Sequence, residues 1–314
     1  MKAFLIDKYG GPAEMRAVEV PEPQVGAEDV LVEIRAAGVN PLDVKLRDGA
    51  FKTFLPYRLP LLQGNDLAGT VIGVGPAVTR FAVGDEVYAR PDKDRIGTFA
   101  GRLAAHQDDL APKPAALTMP EAASLPLVAL TAWQALVERA RVRPRQKVLV
   151  HAGAGGLGSV AVQLAKALGA HAATTASAAT ADLVEALGAD EVIDYPTQDF
   201  TEILDGCDVV LDSLGGDNLA RSLRILKPGG IAISVAGPPD PAFAHELGKV
   251  VVAMACRRER AGAPVASDGE RGSRTPHSPA PAPASYANTP TRSVAARGVD
   301  LVLRRPGPAR TAHH

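Results

Sequence analysis

Cysteine is almost missing from this chain of 314 residues, which holds only Cys207 and Cys256. Two isolated thiols build neither a disulfide framework nor a zinc cage, so the composition points to a reducing, cytoplasmic setting. No run of about 18 apolar residues occurs, which leaves no candidate for a membrane-spanning helix. The opening Met1-Lys2-Ala3-Phe4-Leu5-Ile6-Asp7-Lys8 sets an acid and a second lysine where a signal peptide needs a longer apolar core. Lysine is absent from residues 256–314, which carry 10 Arg against 4 acids, whereas residues 1–255 carry 24 basic against 31 acidic residues. The formal net charge of −1 therefore hides a tail of +6 on a body of −7.

What is present is most informative around residue 150. The apolar run Val148-Leu149-Val150 leads into Gly153-Ala154-Gly155-Gly156-Leu157-Gly158, and a helical pattern follows through Leu168. A lone G-x-G-x-x-G is often a plain turn, but between a strand and a helix it is the fingerprint of a dinucleotide site. Gly153 permits the tight turn, Gly155 lets the backbone approach a pyrophosphate, and Gly158 allows close helix–strand packing. The free N–H groups and positive dipole end of the new helix face the phosphates.

Residues 1–120 read as short strands (30–36, 68–75, 85–89) joined by Gly and Pro turns, a barrel-like β domain. From Pro120 a helical texture runs through Leu136. Strands at 147–151, 171–175, 191–194, 208–212 and 231–235 then alternate with helices, the signature of a doubly wound parallel sheet. Gly188 ends one helix, and Pro228-Gly229-Gly230 turns the chain into the last strand. The expected class is α/β, with a β-barrel domain over 1–120, a Rossmann domain over 121–250 and a tail over 251–314. The tail lacks the apolar content to offset its ordering entropy and reads as disordered, with Val299–Leu303 its only apolar cluster.

A NAD-selective fold places an acid about 20 residues beyond the glycine loop. Residues 173–180 contain none, so a 2′-phosphate is tolerated there and Thr175 and Ser177 offer it hydroxyls; this favours NADPH over NADH. Ser213 and Leu214, followed by Gly215, sit after the fourth strand of the sheet, at the carboxyl edge where ligands lie. His151 reads only as the end of its strand.

Several segments occur together in one order: Gly38-Val39-Asn40-Pro41-Leu42-Asp43 with Arg47-Asp48-Gly49, Gly64-Asn65-Asp66-Leu67-Ala68-Gly69, Gly84-Asp85-Glu86-Val87, and the glycine loop. Up to about Val250 the chain resembles the medium-chain dehydrogenases/reductases, in their zinc-independent quinone oxidoreductase branch. The resemblance implies a GroES-like β-barrel as the first domain and hydride transfer from NADPH to a quinone or an α,β-unsaturated carbonyl. Zinc-dependent relatives carry Cys where Asn40 stands, His-Glu where Asn65-Asp66 stand, and a four-cysteine lobe where residues 90–110 hold no Cys. Asparagine amides are poor zinc ligands, so no metal is expected. Without a Lewis acid, a conjugated acceptor, over which the added charge spreads, is easier to reduce than an alcohol is to oxidise.

The resemblance also gives residues roles beside their plainer readings. Asn40 lines the nicotinamide and substrate site, or caps a turn. Thr131 contacts the nicotinamide amide, or is an ordinary helix residue. Tyr195 corresponds to a tyrosine that relatives use after the third strand. Lys45 departs from the tyrosine of many relatives, and is either solvated or polarises the substrate oxygen. Tyr57 packs at the rim or meets that oxygen, beside an apolar wall of Phe51, Phe54, Leu55, Leu59 and Leu62 that suits a small apolar substrate.

Relatives continue after the fifth strand with an edge strand, helices and final strands, whereas here the pattern stops near Val251. A frameshift near that codon is expected, and with it an inactive remnant as an alternative function. A missing edge strand also argues against a homodimer. A basic nucleic-acid-binding tail on an NADPH-binding module is a further alternative, but Tyr286 is its single aromatic, so base stacking lacks support.

Overall fold

The computed structural model describes residues 1–254 except 54, 238–240 and 247. The first half is antiparallel: β1 (Lys2–Ile6), β2 (Met15–Glu19), β3 (Asp29–Gly38), β4 (Leu61–Leu62), β5 (Asp66–Val74), β6 (Glu86–Ala89), β7 (Arg102–His106) and β8 (Leu110–Pro112). They form a five-stranded sheet in the order β7-β3-β5-β6-β8 and a small sheet in the order β2-β1-β4. The period of two turns Val30, Val32, Val71, Val87 and Leu103 into one buried cluster and leaves Arg35 exposed. After β3 comes α1 (Pro41–Arg47), opened by Asn40, whose N–H donates to Asp43 Oδ2 at 2.7 Å.

The helical stretch is α2 (Met119–Ala123) and α3 (Pro126–Trp133), followed by a π-helical turn over Gln134–Arg139. A capping box starts α2, with Thr118 N–H donating to Glu121 Oε2 at 2.8 Å, and Pro126 starts α3 where its missing N–H costs nothing. The alternation then runs β9 (Lys147–Val150), α4 (Gly156–Ala167), β10 (His171–Ala176), α5 (Ala181–Ala186), β11 (Glu191–Asp194), α6 (Phe200–Ile203), β12 (Cys207–Asp212), α7 (Asp217–Arg224), β13 (Leu226–Ser234), α8 (Pro241–Glu246) and β14 (Val250–Ala253). All six strands are parallel, in the order β11-β10-β9-β12-β13-β14. Every residue of central β12 is buried, as helices on both faces require. One core cluster runs from Ala68 and Tyr88 of the barrel through Ala122 and Val128 to Val148, Ala161 and Ile233, so α2 and α3 join the two halves.

Two expectations are corrected. The sheet does not stop at its fifth strand: Val250–Ala253 pair in register with Ile231–Ser234. Four β-branched and small residues suffice for a short parallel strand but are too few for a periodicity to register. Pro228-Gly229-Gly230 lie inside β13 rather than before it; Gly229 takes φ +75° where the register against β12 slips between Cys207 and Val209. Residues 255–314, with Val299–Leu303 and the proposed disorder, lie outside the described residues. No described helix is long and apolar enough to cross a membrane.

Candidate active site

From β9 the chain turns through His151–Gly155 into α4. Ala152, not a glycine, takes the left-handed φ of +54°, and Gly155 N–H closes the turn on Ala152 O at 2.9 Å. The glycines answer to space. A Cβ on Gly153 would lie closer than 3.0 Å to Thr174 Oγ1, and one on Gly158 closer than 3.0 Å to Ala152 O. Gly153 therefore serves the close approach to β10 more than the turn geometry expected of it. Gly155 and Gly156 are exposed, and a Cβ on Gly156 would meet nothing nearer than Val128 Cγ1 at 3.8 Å. With half-buried Ala154 and Leu157 they leave backbone open at the N-terminus of the 12-residue α4, which fits a pyrophosphate.

The turn is held from beneath. Thr175 Oγ1 accepts from Ala152 N–H at 3.0 Å and lies 3.3 Å from His151 Nδ1, while His151 Nε2 is 2.9 Å from Ser222 Oγ. Thr175 is only 4% exposed, so it does not offer its hydroxyl to a 2′-phosphate as expected; strand alternation points it under the loop. His151, read as a mere strand end, is a buried buttress. Burial pushes its imidazolium down to about 4, against the pull of Asp212.

Ser177 and Tyr195 do meet at one edge. Ser177, half-buried past β10, has Oγ 3.1 Å from Thr180 Oγ1. Tyr195 is exposed past β11, and its N–H donates to Ala176 O at 3.1 Å. The fold also brings an acid that the local sequence did not: Asp194 accepts from Ala178 N–H at 2.9 Å and Thr197 Oγ1 at 2.7 Å, one bond on each oxygen. After β12, Ser213 donates to His151 O at 3.4 Å and Leu214 is exposed. Their loop is shaped by fully buried Asp212, which accepts from Leu214 N–H (3.2 Å), Gly215 N–H (3.0 Å) and Ser234 Oγ (2.9 Å). Sequence reasoning passed over Asp212 because it looks like any strand-end acid.

On the barrel side, Asn40 is buried and its Nδ2 donates to Asp66 Oδ2 at 2.9 Å. Asp66 Oδ1 accepts from Leu127 N–H at 3.0 Å, and Asn65 Nδ2 donates to Asp43 Oδ1 at 2.7 Å. Burial raises both carboxyls, Asp66 to about 7. Both carboxamide nitrogens are thus turned to carboxylates, and the set offers neither thiolate nor imidazole; these residues do not fit zinc. Arg90, likewise overlooked, is 7% exposed with Nε unpartnered, and the pairing of Leu67 with Ala89 sets it beside Asp66. Lys45 is not simply solvated: Nζ donates to Ala236 O at 3.3 Å, crossing from α1 to the loop after β13. Thr131 is buried and donates to Leu127 O at 2.7 Å. Tyr57, Phe51 and Leu55 pack around Leu46, Leu61 and Ile96, and burial pushes the Tyr57 phenol up to about 12. Leu59 is 36% exposed and Leu62 half-buried, and Phe54 lies outside the described residues.

Two family models match the chain: the alcohol dehydrogenase GroES-like domain over residues 26–115 and the zinc-binding dehydrogenase over 156–259. An NADPH-dependent alkenal/one oxidoreductase of Arabidopsis thaliana is 36% identical over 250 residues, 77% of this chain and 64% of that protein. The quinone oxidoreductase of Coxiella burnetii superposes with a TM-score of 0.75 at 34% identity, covering 82% of this chain and 83% of the other. The Escherichia coli quinone oxidoreductase complexed with NADPH gives 0.73 at 30% identity, covering 82% and 81%. The chain spans less than two thirds of the length of the curated relatives it matches, 62% and 64% for the first two.

Proposed function

This chain belongs to the zinc-independent quinone oxidoreductase branch of the medium-chain dehydrogenase/reductase family, with a GroES-like barrel ahead of a Rossmann domain, and on that premise we propose that it uses NADPH to reduce a quinone or an α,β-unsaturated carbonyl. The observation that carries the reading is the open glycine turn at the head of α4, together with the reach of Lys45 from the barrel side to Ala236 O. When bound, NADPH supplies a hydride that adds to an acceptor carbon, and solvent protonates the resulting quinolate or enolate.

The chain's own residues bind, orient and exclude water. Backbone at Gly153–Gly158 holds the pyrophosphate. Ser177 and Tyr195, joined by Thr180, take the 2′-phosphate, and Thr175 acts behind them by holding Ala152. Thr131, Ser213 and Leu214 flank the nicotinamide. Among the described residues Lys45 Nζ spends one N–H on Ala236 O, and Tyr57 stays protonated at neutral pH, so both can steady the substrate oxygen. Asn40 spends one amide hydrogen on Asp66, and its side chain also hydrogen-bonds toward the Asp43 carboxyl. The setting is cytoplasmic. Because β14 is present, the argument against a homodimer from a missing edge strand falls away.

Oxidation of NADPH followed at 340 nm, with 1,4-benzoquinone and trans-2-hexenal as acceptors, tests the reading. Consumption that requires acceptor and enzyme is expected. A melting midpoint unmoved by NADPH at 100 times the expected Kd, where about 2.7 kcal/mol should be gained, would favour the inactive remnant.

A further inference from the structure

We propose that Asp66 is the positioning residue of the cleft: its carboxylate holds the Asn40 amide and the first turn of α3 in one fixed arrangement. The inference rests on the hydride-transfer reading. Asp66 is fully buried at the start of β5, opposite Gly38. Nothing larger than glycine fits there, because a Cβ on Gly38 would lie 2.5 Å from Ala123 O and 3.0 Å from Asp66 Cβ. Clamped in this way, the carboxylate makes a continuous path. Oδ2 takes Asn40 Nδ2 at 2.9 Å, Oδ1 takes Leu127 N–H at 3.0 Å, and the Leu127 carbonyl takes the Thr131 hydroxyl at 2.7 Å. The two side chains assigned to the nicotinamide and substrate, Asn40 and Thr131, are thereby linked through one acid on a different strand.

The chemistry needs an acid there. A carboxylate presents acceptors on both oxygens, so it fixes which end of the Asn40 amide is turned toward Asp66. Protonation would turn one oxygen into a donor facing another donor, either Nδ2 or the Leu127 N–H. The charged groups facing Asp66 are Arg90, after β6, which favours the carboxylate, and Asp43 of α1, which opposes it; burial outweighs Arg90 and brings the titration to about 7. The Asn40 hydrogen bond favours the carboxylate more than Arg90 does, and the Leu127 N–H adds to it. The cleft is therefore set in order as pH rises through neutrality.

Asp66→Asn in the full chain is the test, with NADPH affinity, kcat and KM measured from pH 6.0 to 8.5. The wild type should gain kcat with a midpoint near pH 7. The variant should bind NADPH within threefold of wild type, lose at least tenfold in kcat and lose the midpoint. A variant within twofold in kcat with an unchanged pH profile would overturn the proposal. Should the variant fail to fold, or the wild type reduce neither acceptor, the side-chain amide resonances of Asn40 in the wild type decide, identified by their loss in Asn40→Ser. A shift with a midpoint near pH 7 supports the positioning role even if the enzymatic reading fails, and resonances constant from pH 6.0 to 8.5 overturn it.

Discussion

At the scale of single residues, the glycines of the turn differ in what they are for. Gly158→Ala drives a Cβ into the Ala152 carbonyl, which cannot move without the loop. It should cost about 1–3 kcal/mol, several degrees of Tm, and weaken NADPH at least tenfold. Gly156→Ala has room, with Val128 Cγ1 3.8 Å away, and should leave Tm within about a degree. Equal losses in the two variants would mean that space is not what selects glycine here. Lys45→Met removes the ammonium that reaches Ala236 O. A fall of tenfold or more in kcat/KM is expected if that ammonium also steadies the substrate oxygen, and a change below twofold would leave it as a latch between the halves.

At the scale of elements, the proposed place of cofactor choice is where β10 and β11 end. Ser177, Thr180 and exposed Tyr195 present hydroxyls, while Asp194 already holds Ala178 and Thr197. Ser177→Asp adds a free acid at the position NAD-selective folds use for the ribose hydroxyls. NADPH should bind at least tenfold more weakly and NADH no more weakly than before, read by quenching of protein fluorescence; unchanged NADPH affinity would remove Ser177 from the site. The glycine loop was legible because Gly153, Gly155 and Gly158 fall between an apolar run and a helical period. Its support was not, because Thr175 and His151 become partners only once β10 lies beside β9.

Over the whole molecule, two buried groups oppose each other in acid. The unfolded chain protonates His151 from pH 6.5 downward, whereas the folded one resists until about 4, so this residue makes stability rise with pH across that window. The folded chain keeps a proton on Asp66 up to about 7, whereas the unfolded one releases it near 3.8, so stability falls with rising pH over nearly the same range. The His151 shift is worth about 3 kcal/mol and the Asp66 shift about 4, so the two largely cancel. His151→Asn should unmask the second: urea melts should find it about 2 kcal/mol more stable at pH 4.5 than at 6.5, relative to the wild-type difference. A variant whose pH dependence matches the wild type would mean that His151 titrates normally in the folded chain. Elsewhere, a hollow of about 650 Å³ opens on the barrel beside Phe4, Ile34, Val39 and Phe99; no described residue beyond Gly101 lines it, and the glycine turn is not part of it.

The sequence alone determined what depends on neighbours along the chain: the strand–turn–helix around Gly153–Gly158, the switch from antiparallel to alternating texture near Pro120, the missing acid after β10, and the absence of zinc-ligand chemistry at Asn40 and Asn65. Only the tertiary structure decided which polar groups lose water. Asp66 and Asp212 look ordinary in the chain and differ from surface acids because burial leaves their oxygens dependent on Asn40, Leu127, Gly215 and Ser234. Lys45 meets Ala236 across 191 positions, and Val250–Ala253 become a strand because Ile231–Ser234 offer them an edge. Such partners are chosen by packing, and no local pattern records them.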